Sequence, residues 1–250
     1  MMSKIEIITS TTNSKYKTWL SLLQSKGIRQ EGKYLLSGKT VVLDALKNHR
    51  SHINCILSVK DSSSISVDPE IQSFQLSQDL FNNLDVFGTD HPILVVNTPT
   101  ILNYEDLKES GITVYIPVGD PSNLGAMIRS CNAFGVTNIV LLKEAANPFL
   151  PKSVRAASGN LFSICFYQGP SIHDLKTDAK NIYALDMNGE DLRNLSTQKN
   201  IRLLVGEEGP GIPDYSFKKI SIPIHTDCES LNASVALGIA LYELKTNVSK

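Results

Sequence analysis

From residue 112 onward, short apolar runs alternate with segments of helical spacing. Thr113–Val118, Asn138–Leu142, Asn181–Leu185, Ile201–Val205 and Lys219–Ile222 read as strands, and helical patterns fall between most of them. Such alternation predicts an α/β unit built on a mainly parallel sheet covered by helices. Upstream, Lys15–Ser25 sets Tyr16, Trp19, Leu20 and Leu23 at helical spacing, and Thr40–Lys47 does the same with Val41, Val42, Ala45 and Leu46. Ile53–Val59 and Ile93–Val96 read as strands, and the Ser- and Asp-rich Asp61–Pro69 as a loop. The pattern divides the chain into a small α/β domain over residues 1–100, a linker over 101–111 and a second domain over 112–250.

Three strand-like runs of the second domain end alike, in a turn that carries a polar group. Thr113–Val118 leads into Asp120-Pro121-Ser122-Asn123-Leu124-Gly125-Ala126-Met127-Ile128-Arg129, and Ile201–Val205 into Gly206-Glu207-Glu208-Gly209-Pro210-Gly211. The Ile220–Ile224 run leads into a polar turn closed by Ser230-Leu231-Asn232. In open α/β sheets, ligands bind beyond the carboxyl ends of the strands where such turns cluster, so three of them in one half of the chain point to one site. Ser230 and Asn232 also open an apolar helix reaching about Leu244. Polar side chains there can cap unpaired backbone N–H groups or face a ligand. Along that helix Leu231, Val235, Leu237, Ile239, Leu241, Tyr242 and Leu244 point almost all round. A helix of that kind is expected to be buried on more than one side, as a central helix or at a subunit interface.

Composition adds limits rather than a function. The 250 residues are 42% hydrophobic and 20% charged with a formal net charge of −1, as in an ordinary globular protein. No apolar run approaches the roughly 20 residues of a membrane span, and Met1–Ser10 lacks a long apolar segment beside a basic one, so a cytoplasmic protein without a membrane partner is expected. Cys55, Cys131, Cys165 and Cys228 are widely spaced, which favours reduced thiols over disulfides or zinc. His49 and His52 lie three apart with no Cys or carboxylate to complete a ligand set, so no metal is expected. Near-zero net charge argues against strong nonspecific nucleic-acid binding by the whole surface. Residues 1–50, however, gather nine Lys and Arg, among them Lys15, Arg29 and Lys33, against only Glu6, Glu31 and Asp44. That segment is a candidate phosphate footprint, or else a solvated helix face.

The three turns resemble the motifs of the SpoU/TrmH family of RNA ribose 2′-O-methyltransferases, of the SPOUT class. Asn123, Gly125-Ala126 and Arg129 match its first motif; Gly206, Glu208 and Gly211 match its Gly-x-Glu-x-x-Gly; Ile222-Pro223 and Ser230-Leu231-Asn232-Ala233-Ser234 match its third. The resemblance covers roughly residues 112–248. It departs where Thr226 replaces the usual loop Gly and Ala233 the usual Val. Thr9–Asn13, Arg29–Tyr34 and Gly38–Leu43 are similar to the family's frequent N-terminal domain, related to ribosomal protein L30e, although Ser37-Gly38 stands where the family often has Glu-Gly.

The resemblance implies a deep trefoil knot in the C-terminal domain, an L30e-like RNA-binding N-terminal domain and a homodimer. It implies S-adenosyl-L-methionine as cofactor and RNA as substrate, ribosomal RNA ahead of transfer RNA. It assigns catalysis to Asn123, Arg129, Glu208, Ser230 and Asn232, and cofactor contacts to Gly206, Ile222 and Leu231. Lys152 and Arg155, in a stretch similar to a family segment near the active site, are candidates to face RNA or simply end a helix. Two other functions fit the residues: a noncatalytic RNA-binding or ribosome-assembly protein that keeps the fold, and a nucleotide-dependent enzyme acting on a small molecule.

Overall fold

The computed structural model describes residues 5–60, 69–108, 110–177, 182–195, 200–206, 212–213, 217–225, 227 and 230–248, the side chains of 246–248 excepted. The predicted loop at Asp61–Pro69, Glu208, Thr226 and Cys228 fall largely or wholly outside these residues. The chain forms two compact units, one of Met1–Pro99 with Asn147–Phe162 and the other of Thr100–Ala146 with Ser163–Lys250. Among the described residues no helix is long and apolar enough to cross a membrane.

The first unit is a mixed five-stranded sheet with helices, among them α3 (Lys39–Asn48) and α4 (Gln78–Leu84), all elements being numbered along the chain. Its strands β1 (Glu6–Ile8), β2 (Lys33–Leu36), β3 (Ile53–Val59), β4 (Gln72–Leu76) and β5 (Ile93–Asn97) lie in the order β1-β4-β3-β5-β2. β5 is a continuous apolar run, Ile93-Leu94-Val95-Val96, with all four side chains fully buried, as a central strand covered on both faces requires. The helix expected over Lys15–Ser25 is two: α1 (Ser14–Ser21) and α2 (Ser25–Glu31). The cause is a tight turn that presses Gly27 onto Ser21, where a Cβ would lie 2.1 Å from the Ser21 carbonyl oxygen. Asn13 caps α1, its Oδ1 accepting from Lys15 N–H at 2.9 Å, and Gly32 ends α2 in the left-handed region at φ 61°. The inserted segment contributes Phe149, stacked on Tyr34 of β2 at 5.3 Å, and α6 (Pro151–Ala157).

The second unit is a seven-stranded sheet. β6 (Leu102–Asn103), β7 (Gly111–Ile116), β8 (Asn138–Leu141), β9 (Cys165–Gln168), β10 (Ile182–Asp191), β11 (Asn200–Leu204) and β12 (Lys218–Ser221) lie in the order β12-β10-β11-β7-β8-β9-β6. Every pairing between them is parallel. The mainly parallel sheet read from the alternation of runs is thus present. Part of the stretch read as a linker belongs to this unit: β6 pairs with β9, and the Tyr104 hydroxyl lies 3.3 Å from that of Tyr115. A two-residue strand is too short to leave a periodic signal. One core cluster holds Tyr115, Val140, Tyr167, Leu204 and Phe217. Helix α5 (Pro121–Ala133) buries Leu124, Met127, Ile128 and Cys131, a stripe at i, i+3, i+4 and i+7; each of its larger apolar side chains is stabilised by roughly 1.5–3 kcal/mol of transfer from water.

β10 departs from regular pairing at the point that matters most for the ligand end of the sheet. Its register against β12 jumps between Leu185 and Glu190, both of which face Ile220, so residues 186–189 bulge out of the ladder. Gly189 makes the bulge possible, because a Cβ there would meet the Ile220 nitrogen at 2.4 Å and the Lys219 carbonyl carbon at 2.5 Å. Both obstacles are backbone and cannot rotate away. The Ser221 hydroxyl closes the bulge by donating to the Gly189 carbonyl at 2.9 Å. Gly189→Ala is expected to destabilise the protein by about 2–3 kcal/mol in urea unfolding, whereas Ala at the exposed neighbour Met187 should change it by less than about 0.5 kcal/mol.

Candidate functional site

The site is built at the carboxyl ends of β10, β11 and β12. There a cavity of about 550 Å³ is lined by Leu185, by Asp186 and Met187 of the bulge, by Val205 and Gly206 after β11, by Ile220, Ile222 and Ile224 around β12, and by Ser230 to Ala233 with Ala236. Its wall is largely apolar, with few polar side chains, which is the make-up of a small-molecule site. All three positions expected to contact a cofactor, Gly206, Ile222 and Leu231, line it, and so do Ser230 and Asn232. Ala233, one of the two departures from the family pattern, lines it as well.

Asn232 does two jobs. It stands immediately before α7 (Ala233–Val248), where its carbonyl accepts from Ala236 N–H at 2.9 Å and its Oδ1 accepts from Ser234 N–H at 2.9 Å and from the Ser234 hydroxyl at 2.6 Å. The capping role is therefore real. Its Nδ2 remains to donate to Asn123 Oδ1 at 3.3 Å. Asn123 is itself placed by a helix start: Asp120 caps α5 by accepting from Asn123 N–H at 2.7 Å, and Pro121 fixes the first turn. The first and third motifs thus meet through their asparagines.

Farther along, Gly238 faces Ser130, with 3.8 Å between a Cβ at Gly238 and the Ser130 hydroxyl, and Tyr242 meets Phe134 edge-on at 6.2 Å. Contacts rise together along both helices, so α5 and α7 run parallel and bring two helix N-termini, each with a partial positive charge, to the cavity end. Beneath them Cys131 is inert, since burial pushes its thiol up to about 12 against a smaller opposing backbone hydrogen bond.

Arg129 lies six residues past Asn123, about 9 Å along the helix axis, on the face of α5 turned away from the buried stripe. It is exposed, does not line the cavity, and makes no hydrogen bond or ion pair among the described residues. Glu208, the remaining expected catalytic residue, lies outside the described residues. The four residues expected to touch RNA belong to the first unit. Arg29 is exposed; Lys15 pairs with Glu6 at 2.5 Å and stands 4.6 Å over the Phe74 ring. Lys33 and Lys15 both draw down the thiol of Cys55, though burial dominates and pushes it up to about 12. Arg155, in the last turn of α6, covers the Phe87 ring at 4.4 Å.

Leu185, at the edge of the bulge, and the bulge residues Asp186 and Met187 are cavity walls that the sequence reading missed. Their signal was present: Asn181–Leu185 ends in Asp186-Met187-Asn188-Gly189, a strand followed by a polar, Gly-bearing turn like the other three. Asn232→Ala is expected to remove the cap and cost about 1 kcal/mol of stability, read as a lower urea midpoint. Asn232→Asp, which keeps the cap but cannot donate to Asn123, should retain the stability.

A model of the SpoU rRNA Methylase family matches residues 111–242, more than half of the chain. The ribosomal RNA small subunit methyltransferase G 2 of Syntrophobacter fumaroxidans (strain DSM 10017 / MPOB) is 35% identical over 243 residues, covering 94% of this chain and 48% of that protein. The chain thus spans about half of that relative's length. The 23S rRNA (guanosine(2553)-2'-O)-methyltransferase RlmP of Bacillus subtilis (strain 168) is 31% identical over 249 residues, covering 95% of this chain and 98% of that one. A crystal structure of an AdoMet-bound rRNA methyltransferase from Sinorhizobium meliloti shares the fold with a TM-score of 0.79, at 22% identity and 98% coverage of each chain.

Proposed function

The chain belongs to the SpoU rRNA Methylase family, and from that premise we propose that it is an S-adenosylmethionine-dependent RNA methyltransferase acting on a ribose 2′-hydroxyl, with ribosomal RNA as the substrate ahead of transfer RNA. The observation that carries this reading is the cavity at the ends of β10, β11 and β12, lined by Gly206, Ile222, Ser230, Leu231 and Asn232. Those residues fit the cofactor. Ile222 and Leu231 offer apolar faces and Gly206 an open backbone, suited to an adenine read by amide and carbonyl groups, and about 550 Å³ suits a ligand of nucleoside size. When bound, S-adenosylmethionine supplies a methyl group activated by its sulfonium.

What the chain itself contributes is position. Holding two reactants in attack geometry can supply several kcal/mol of a barrier, and the Asn123–Asn232 contact ties the cavity wall to α5, the helix that farther along carries Arg129. A guanidinium has no acceptor and holds its charge at ordinary pH, so Arg129 is poorly suited to take the hydroxyl proton. Its planar fork matches the phosphate beside the target ribose, and its freedom among the described residues leaves it available for that. The proton then leaves to that phosphate, to water or to Glu208. Lys15, Arg29, Lys33 and Arg155 supply the phosphate contacts of an L30e-like unit in this reading, and the parallel sheet is that of a trefoil-knotted SPOUT domain. Cys55, Cys131 and Cys165 are all free, which suits a reducing, cytoplasmic setting.

A homodimer completes the proposal, supported by α7. Within one chain its inner face is buried at Leu237, Ala240, Leu241 and Leu244, while Val235, Ile239 and Tyr242 are 50%, 41% and 58% exposed. These three recur at i, i+4 and i+7, an apolar stripe that water does not favour. Light scattering should show a dimer for the native protein and a monomer for Ile239→Asp with unchanged helicity; a native monomer at micromolar concentration would remove this part of the reading.

The activity is tested by transfer of labelled methyl from S-adenosylmethionine to unmodified ribosomal RNA, followed by mapping of the product nucleotide. Arg129→Ala is expected to lower turnover at least a hundredfold while leaving S-adenosylmethionine affinity within a factor of about two. Near-normal methylation by that variant would refute the role given to Arg129. Cofactor binding without methylation of any RNA would favour the noncatalytic alternative.

A further inference from the structure

Among the described residues that line the cavity, Asp186 alone is charged, and no role above uses it. It opens the bulge of β10, with its side chain only 19% exposed. Its carboxylate is fixed from two directions. Oδ1 accepts from Asn188 N–H at 2.9 Å, inside the bulge, and Oδ2 lies 3.2 Å from Lys219 Nζ, on the neighbouring strand β12. The bulge itself is locked by the close approach of Gly189 to Ile220 and by the Ser221 hydroxyl. Asp186 therefore belongs to a fixed segment of the cavity wall, and its carboxylate is held by Asn188 and Lys219.

A carboxylate has about four lone-pair sites, two on each oxygen. Asn188 and Lys219 each engage one oxygen, which leaves one site on each for a ligand. The Lys219 ammonium already offsets the charge, so a second cation is not what this group lacks. Two neutral donors side by side are, and a vicinal diol presents them at matching spacing. Nucleotide sites on open α/β sheets often set a carboxylate on ribose hydroxyls in this way. We propose that Asp186 accepts hydrogen bonds from the 2′- and 3′-hydroxyls of the cofactor ribose, and so orients the nucleoside in the cavity; this assignment rests on the S-adenosylmethionine reading above. Lys219 and Asn188 are then positioning residues, acting through Asp186.

Calorimetry on the full chain separates this assignment from the reading beneath it, using S-adenosylhomocysteine and its 2′,3′-dideoxy analogue. The native protein should bind S-adenosylhomocysteine roughly ten- to a hundredfold more tightly than the dideoxy analogue, as expected for two hydrogen bonds to a charged acceptor. Asp186→Ala should bind both equally, at about the affinity of the native protein for the analogue. Asp186→Asn keeps one acceptor and the side-chain shape, and should show an intermediate preference even if the alanine variant does not fold. A full preference for the diol in either variant overturns the role of Asp186, and so does an absence of preference in the native protein. Failure of the folded native protein to bind S-adenosylhomocysteine at all overturns the cofactor reading and the assignment together.

Discussion

The side-chain contact between Asn232 and Asn123 is the constraint on which the geometry of the site depends. A helix start leaves backbone N–H groups unpaired, and each of the two helices here meets that need with its own cap, Asp120 for α5 and Asn232 for α7. Once Asn232 spends its oxygen on the cap, its amide nitrogen has a fixed direction and reaches Asn123. One residue therefore sets both where α7 begins and how its start stands against α5. Either helix could bury its apolar face at several registers; the polar contact at the N-terminal end, with Gly238 against Ser130 farther on, selects one.

The cavity follows from that register together with the irregular edge of the sheet. Strands β11, β10 and β12 are neighbours, so the segments leaving their carboxyl ends are adjacent without any long-range search. A regular β10 would continue its ladder with β12 and fill the space. The four-residue bulge instead carries Asp186 and Met187 to the wall, while Glu190 resumes pairing with the same Ile220 that Leu185 had faced. The absence of a side chain at Gly189 is what allows two backbones to pass at that distance. The polar content of the site is thus borne by segments whose own backbone needs are met locally, and this preorganisation is available before any ligand arrives.

Much of this was legible in the sequence because it is local. Alternating runs announced the parallel sheet, and a strand followed by a polar turn marked the loops holding Asn123, Gly206 and Ser230 to Asn232. Capping at Asn232 could be read from residue type alone. The elements that escaped are those whose cause lies far along the chain. β9 is only four residues long and takes its place from pairing with β8 and β6. The division of units is the same kind of case: residues 147–162 interrupt the second unit in sequence yet pack with the first, with Phe149 stacked on Tyr34. Periodicity reports which face of an element is apolar, and is silent about which distant element covers it.

Helix α7 shows how that silence can still carry information. Its sequence predicts burial all round, and a single chain provides it on one side only. The uncovered stripe is not remote from the cavity, because Ile222, which lines it, also lines a second hollow of about 190 Å³ together with Ile239 and Glu243. Ile239 belongs to the exposed stripe of α7, so this hollow, which Arg193 and Glu243 also line, joins the back of the cavity wall to the outer face of the helix. A partner that covered the stripe would reach the back of Ile222 and stiffen the wall on which the ligand rests.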